Sequence, residues 1–122
     1  LAFESRLQPG IHVLGDAAAM GAMPKSAFAA NVQAKTCADA LVALFAGRAP
    51  VEPRMINTCY SFIAPGHAIS VAGVYRPGAN ALLVDIPGAG GTSPLDAPDS
   101  TRQMEASYAD AWFDTIIAES FG

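Results

Sequence analysis

Two cysteines, two histidines, a Gly-Asp pair and one glycine-rich run are where chemistry could reside in this chain. Cys59 lies in I-N-T-C-Y-S-F-I-A-P-G, residues 56–66, inside a run that reads as a strand. A thiol there is either a small buried hydrophobe or, as a thiolate, a nucleophilic and redox-active sulfur. Cys37 falls at an apolar position of a helical pattern, where burial as a structural thiol is the default. Twenty-two residues separate the two sulfurs, which excludes a C-x-x-C motif, and His12 and His67 add no zinc-ligand spacing. His12, within an apolar segment, reads as a packed histidine bonded to backbone. His67, beside Gly66, reads as a solvated turn residue.

Gly15-Asp16 is the more informative pair. A strand that ends in Gly-Asp and passes through small residues into a helix brings a carboxylate and helical N–H groups together. The carboxylate accepts hydrogen bonds from sugar or ribityl hydroxyls, and the first turn of the helix offers its positive end to negative charge. The run G-A-G-G-T-S at 88–93 reads as a surface loop rather than a phosphate cradle. A P-loop ends in Gly-Lys-Ser/Thr and a dinucleotide loop runs straight into a helix, whereas Pro94 and Pro98 follow here.

The elements that must position these groups can be read from pattern and punctuation. Residues 10–15 predict a short strand ended by Gly15-Asp16. Pro24 suits a first helical residue, residues 25–45 contain neither Pro nor Gly, and Gly47 stops the helix. Phe28, Val32, Cys37, Leu41 and Leu44 predict its buried face. After Pro50 and Pro53 come strands at 55–63 and 68–75 joined by a Pro-Gly hairpin, then a third at 81–86. A final helix opens at Ser100 or Thr101, with Met104, Tyr108, Trp112 and Ile116 stacked at steps of four. The fold class expected is α+β: a strand-plus-helix unit over residues 1–50, then a three-strand antiparallel meander and a C-terminal helix over residues 51–122.

With 52% apolar residues there is ample material for a core. A formal charge of −4 argues against a nucleic-acid or anionic-membrane surface, both of which select Lys and Arg. No apolar run reaches the eighteen residues of a membrane span, and no signal peptide is visible at the start.

The run I-H-V-L-G-D-A-A-A-M-G-A-M-P-K-S-A-F-A-A-N-V-Q-A resembles the second FAD motif of the glutathione-reductase-like flavoproteins with two dinucleotide domains. The runs I-N-T-C-Y-S-F-I-A-P-G-H-A-I-S-V-A-G-V-Y-R-P and Y-A-D-A-W-F-D-T-I-I-A-E-S-F-G resemble, more specifically, the flavin-binding C-terminal domain of the flavoprotein subunit of flavocytochrome c sulfide dehydrogenase. The resemblance implies that residues 1–50 are the tail of a Rossmann-like FAD domain and residues 51–122 a flavin-binding, interface domain, with FAD as cofactor and Gly15 and Asp16 at the ribityl chain. It also implies that the helix N-terminus at Met23, Pro24, Lys25 and Ser26 faces the pyrimidine end of the flavin. Cys59 is implied to be one sulfur of a redox disulfide attacked by sulfide, and Cys37 a packing residue. A cytochrome c subunit is the implied electron acceptor and the periplasm the implied compartment.

The departures bear on the same inference. No G-x-G-x-x-G segment for the ADP half of FAD and no upstream partner for Cys59 occur in this sequence. The upstream domains of such a flavoprotein are therefore expected as partners, and the chain alone is expected to bind FAD weakly or not at all and to be inactive. Two alternatives stay open: a non-catalytic, self-associating flavin-domain-like module, and part of a sulfide:quinone oxidoreductase-like enzyme. The final helix, acidic at Glu105, Asp110, Asp114 and Glu119, lacks the basic flank of a membrane-docking helix.

Overall fold

A computed structural model describes residues 1–122. Its elements run α1 (Ala27–Phe45), β1 (Met55–Ala64), β2 (His67–Pro77), β3 (Leu83–Asp85), β4 (Gly91–Thr92) and α2 (Asp99–Phe121), with a single 3-10 turn at Gly15–Ala17 before α1. One sheet has the order β1-β2-β3, and β4 also pairs with β2. The expected α+β fold with an antiparallel meander and a C-terminal helix is what the chain adopts. It divides into two compact units, Leu1–Asn57 with Gly73–Ala89, and Thr58–Ala72 with Gly90–Gly122.

In the first unit the core joins Phe3, Met23, Ala29, Cys37, Met55, Tyr75 and Leu83. The segment expected as a strand at 10–15 is extended but makes only one bridge, Glu4 with His12, flanked by bonds from Ser5 N to Ile11 O (2.7 Å) and from Val13 N to Phe3 O (2.9 Å). The helix α1 begins later than Pro24, at Ala27, because Ser26 serves as its N-cap and accepts from Ala29 N at 3.0 Å. A hydroxyl acceptor satisfies a first-turn N–H that a preceding proline cannot. At the other end Arg48 N reaches Ala43 O and Gly47 N reaches Leu44 O, a Schellman closure at the glycine that the pattern predicts.

The buried stripe of α1 is Ala29, Gln33, Cys37, Ala40 and Ala43, mostly small residues. Only Cys37 of the expected face is fully buried; Leu44 is exposed. Small side chains let the helix approach closely, so the larger apolar residues beside them are left toward the rim. The third strand is shorter than expected, since Asn80 and Ala81 adopt left-handed backbone (φ 59° and 58°) and cannot extend.

In the second unit a Pro65-Gly66 turn joins β1 to β2, with Gly66 at φ 69° as a type II geometry requires. Within the run expected as a surface loop, strand β4 forms with two residues, Val71 opposite Thr92 and Ala72 opposite Gly91. The helix α2 starts one residue before the expected Ser or Thr cap, behind Pro98, with no side-chain cap. Its buried face is also turned: Arg102, Glu105, Ala106 and Ala109 are buried, whereas Met104 and Tyr108 are about half exposed.

Hydrogen-bond demand explains that rotation. Glu105 Oε1 accepts from Ser70 Oγ (2.9 Å) and from Ser93 Oγ, while Oε2 lies 3.4 Å from Arg102 Nη1. Arg102 in turn donates to the carbonyls of Pro94 and Leu95. Ser93 N also donates to Ser70 O at 3.0 Å and Ser70 N to the Ser93 hydroxyl at 2.7 Å, so β2, the loop after β4 and α2 are tied at one place. A buried ion pair survives only when its remaining polar atoms are satisfied, and these are.

The Ser93 hydroxyl first, then Ser70 and Arg102, hold the Glu105 carboxyl below its usual range against the opposing effect of burial. A depressed carboxyl contributes stability that is complete above its unfolded-state range and disappears as pH falls through the lowered folded value. We expect Glu105→Ala, which strands Arg102, to destabilise the chain by about 3 kcal/mol at neutral pH. Urea unfolding across an acid series should show this difference shrinking as pH falls through the carboxylate range.

Candidate functional site

The residues singled out around Gly-Asp gather before and at the start of α1, within the first unit. Gly15 opens the 3-10 turn with φ 64°, and a Cβ there would stand 3.3 Å from Ala30 Cβ, so the turn rests on the helix. Its N–H is taken by Gln33 Oε1 at 2.8 Å, and Gln33 Nε2 lies 3.6 Å from Met23 Sδ. Gln33 is thus the buried strut of the site, missed in the sequence because a glutamine on a helix is ordinarily solvated. The available signal was its i+4 spacing from Ala29 and Cys37.

Asp16 is exposed. Its carbonyl accepts from Lys25 Nζ at 2.6 Å, so Lys25 closes the loop onto the Gly-Asp turn rather than extending away from it. Between them, Gly21 bridges to Leu83: Leu83 N donates to Met20 O and Ala22 N to Leu83 O, both at 2.9 Å. With φ 80°, and with a Cβ destined to collide with the Leu83 carbonyl, only glycine fits position 21. Met23 is buried in the core and Pro24 is exposed, so of the expected first-turn group the methionine anchors while Lys25, though accessible to solvent, folds back on the Gly-Asp turn.

Ser26 is the pivot of this arrangement. Its hydroxyl accepts from Ala29 N and donates to Asn57 Oδ1 at 2.5 Å, and Asn57 is itself buried. Asn57 is a second residue that the sequence pattern left unremarked, although an Asn in an otherwise apolar strand start is a buried-polar signal.

Cys59 follows on the same strand, half-buried in the second unit. Its neighbour Tyr60 has its phenol pKa pushed up, first by burial and then by the nearby Glu105 and Tyr108 charges. Tyr60 is therefore a neutral hydroxyl at ordinary pH. Cys37 differs in kind: it is 5% exposed, its Sγ donates to Ala2 O at 3.3 Å, and burial raises its pKa. His12 bonds the Ala2 carbonyl through Nδ1 at 2.6 Å and His67 the Pro65 carbonyl at 3.1 Å, so both are engaged by backbone.

The donor set suits a flavin in its chemistry. An exposed carboxylate at Asp16 matches ribityl hydroxyls, and a capped helix N-terminus with Lys25 beside it matches negative charge on a pyrimidine-like ring. No group of His, Cys, Asp and Glu side chains could hold a metal, and no helix is long and apolar enough to cross a membrane. A family model described as the flavin-binding domain of flavocytochrome c sulphide dehydrogenase matches residues 51–121, which include Cys59.

The two thiols should differ sharply toward reagents. With Ellman's reagent on the folded chain we expect Cys59 to react at least about tenfold faster than Cys37, because thiolate access governs the rate. Peptide mapping of the labelled protein identifies the site, and preferential labelling of Cys37 would contradict this assignment.

Proposed function

Since the chain belongs to the flavin-binding family of flavocytochrome c sulphide dehydrogenase, we propose that it forms the flavin-facing, sulfur-handling part of a sulfide-oxidising flavoprotein. The observation that carries this reading is a half-buried thiol on β1 within the residues matched to that family. A bound flavin supplies a two-electron acceptor that can be reoxidised one electron at a time.

In this reading the side chains of the chain bind and orient. Asp16 accepts hydrogen bonds from the ribityl hydroxyls, and Gly15 keeps the turn low enough against α1 to admit them. Ser26, by capping α1 and bonding Asn57, holds the positive end of the helix in a fixed direction, and Lys25 adds a cation beside it. The sulfur chemistry belongs to Cys59. As one half of a disulfide it is attacked by hydrosulfide: a new S–S bond forms at Cys59, the old S–S bond breaks, and the former partner sulfur leaves as a thiolate. The products are a Cys59 persulfide and one thiolate, with the disulfide as oxidant. A cytochrome c subunit is the acceptor this family reading implies, and the periplasm the compartment.

The sulfur step can be tested on this chain directly. Treatment with glutathione disulfide converts Cys59 to its mixed disulfide with release of one glutathione, and sulfide then displaces the second glutathione. Mass spectrometry should find one added sulfur on the Cys59 peptide and none on the Cys37 peptide. A mixed disulfide that sulfide leaves unchanged, or extra sulfur on Cys37, contradicts the role given to Cys59.

A further inference from the structure

Charge is divided unevenly between the two units. The first holds six Lys or Arg against five Asp or Glu, and the second one Arg against six Asp or Glu, so the first carries +1 and the second −5 of the total −4. Arg102, the one Lys or Arg of the second unit, is buried and paired with Glu105. The other carboxylates of that unit, Asp96, Asp99, Asp110, Asp114 and Glu119, are all exposed, and no Lys or Arg stands among them.

The helix α2 also outruns its cover. Positions 105, 109, 113, 117 and 121 form one row at steps of four. Glu105 and Ala109 are buried, whereas Phe113, Ile117 and Phe121 are 59%, 41% and 82% exposed. The stretch 110–121 rises about 18 Å, roughly three turns, with this row open along it. Asp110 and Asp114 flank the row, each three residues before one of its apolar members. They stand four apart from one another, a like-charge pair that disfavours the helix, and no Lys or Arg follows Arg102 to offset it.

An apolar row with carboxylates alongside selects its occupant by sign. A second copy would bring the same uncompensated acids against Asp110 and Asp114. Nucleic acid and anionic lipid are repelled for the same reason. A protein surface that is apolar at its centre and rimmed by Lys or Arg fits both features: the apolar contact sets how long the complex lasts, and the rim sets orientation and speed of encounter. Charge of one sign acts at a distance on a freely diffusing molecule, an advantage that a covalently joined domain does not need. The occupant is therefore a separate protein.

We propose that the C-terminal half of α2, through Phe113, Ile117 and Phe121 with Asp110 and Asp114 beside them, docks a separate basic protein whose apolar contact is rimmed by lysines or arginines.

A fluorescein-labelled amphipathic helical peptide of leucine and lysine serves as the probe, with its leucine and glutamate counterpart as the control. Fluorescence anisotropy reads affinity, and stopped-flow mixing reads the rates. We expect the lysine peptide to bind, at least about tenfold more weakly when salt is raised from about 20 to 200 mM, and the glutamate peptide not to bind. Asp110→Asn with Asp114→Asn should lower the on-rate about tenfold, and Phe113→Ser with Ile117→Ser should raise the off-rate at least about tenfold. Asp39→Asn and Glu52→Gln, at exposed acids of the first unit, should change neither rate. A carbodiimide condenses a carboxylate with a lysine amine and takes up the water released, and peptide mapping should place the new amide at Asp110 or Asp114. Circular dichroism establishes that the variants are folded, and the wild-type cross-link needs no substitution. No binding of the lysine peptide, equal binding of both peptides, cross-links confined to other carboxylates, or an equal loss from the first-unit variants would overturn the proposal. So would self-association of the chain, read by sedimentation velocity, that Phe113→Ser with Ile117→Ser abolishes. No readout uses flavin, Cys59 or sulfide, so failure here leaves the proposed function standing.

Discussion

One hydroxyl, that of Ser26, sets the geometry on which the candidate flavin contacts depend. It accepts from the first turn of α1 and donates to the buried Asn57 at the start of β1, so the helix end and the strand are fixed by a single atom. A helix N-terminus can stabilise negative charge only if its direction is held, since the effect falls off within the first turn. The loop leading to it is held by other means: Gln33 from below at Gly15, Lys25 across to the Asp16 carbonyl, and Leu83 against Gly21. Together these bonds leave the Asp16 side chain on an exposed turn.

The second unit solves a different problem with buried charge. Glu105 and Arg102 draw together Ser70 of β2 and, from the loop after β4, Ser93 and the carbonyls of Pro94 and Leu95. Replacing such a network by apolar residues is often neutral in stability, so its contribution is better described as specificity. It selects one rotation of α2 and one seat for the two-residue β4. The Glu105 charge also bears on Tyr60, whose phenol it helps to keep protonated beside Cys59.

How far the sequence could be read follows from this contrast. The two long strands, their Pro-Gly turn and the glycine stop of α1 were legible because each is set by residues within a few positions of one another. The rotation of α2 was not: a column of Met104, Tyr108, Trp112 and Ile116 is the better apolar stripe, yet Met104 and Tyr108 face outward. What decides the matter is hydroxyl and carbonyl partners outside the helix, at Ser70 and in the loop before α2, which no helical period reveals. The same holds for the site, where Asp16 and Ser26 could be named from motif but Gln33 and Asn57, the buried groups that brace them, could not. Cys37 and Cys59 separate on physical grounds as well, one sealed in the core against the Ala2 carbonyl, the other half-buried on a strand.

The central claim is that the Gly15-Asp16 turn and the N-terminus of α1 form the flavin-facing surface of this chain. Amide shift mapping during titration with FAD tests it most directly, because it detects weak binding and places it by residue. The account predicts saturable shifts at Gly15, Asp16 and Ala27 that Asp16→Ala abolishes while Cys59→Ser leaves them in place. Those amides staying fixed through the titration, or shifting equally in the Asp16→Ala chain, would contradict it.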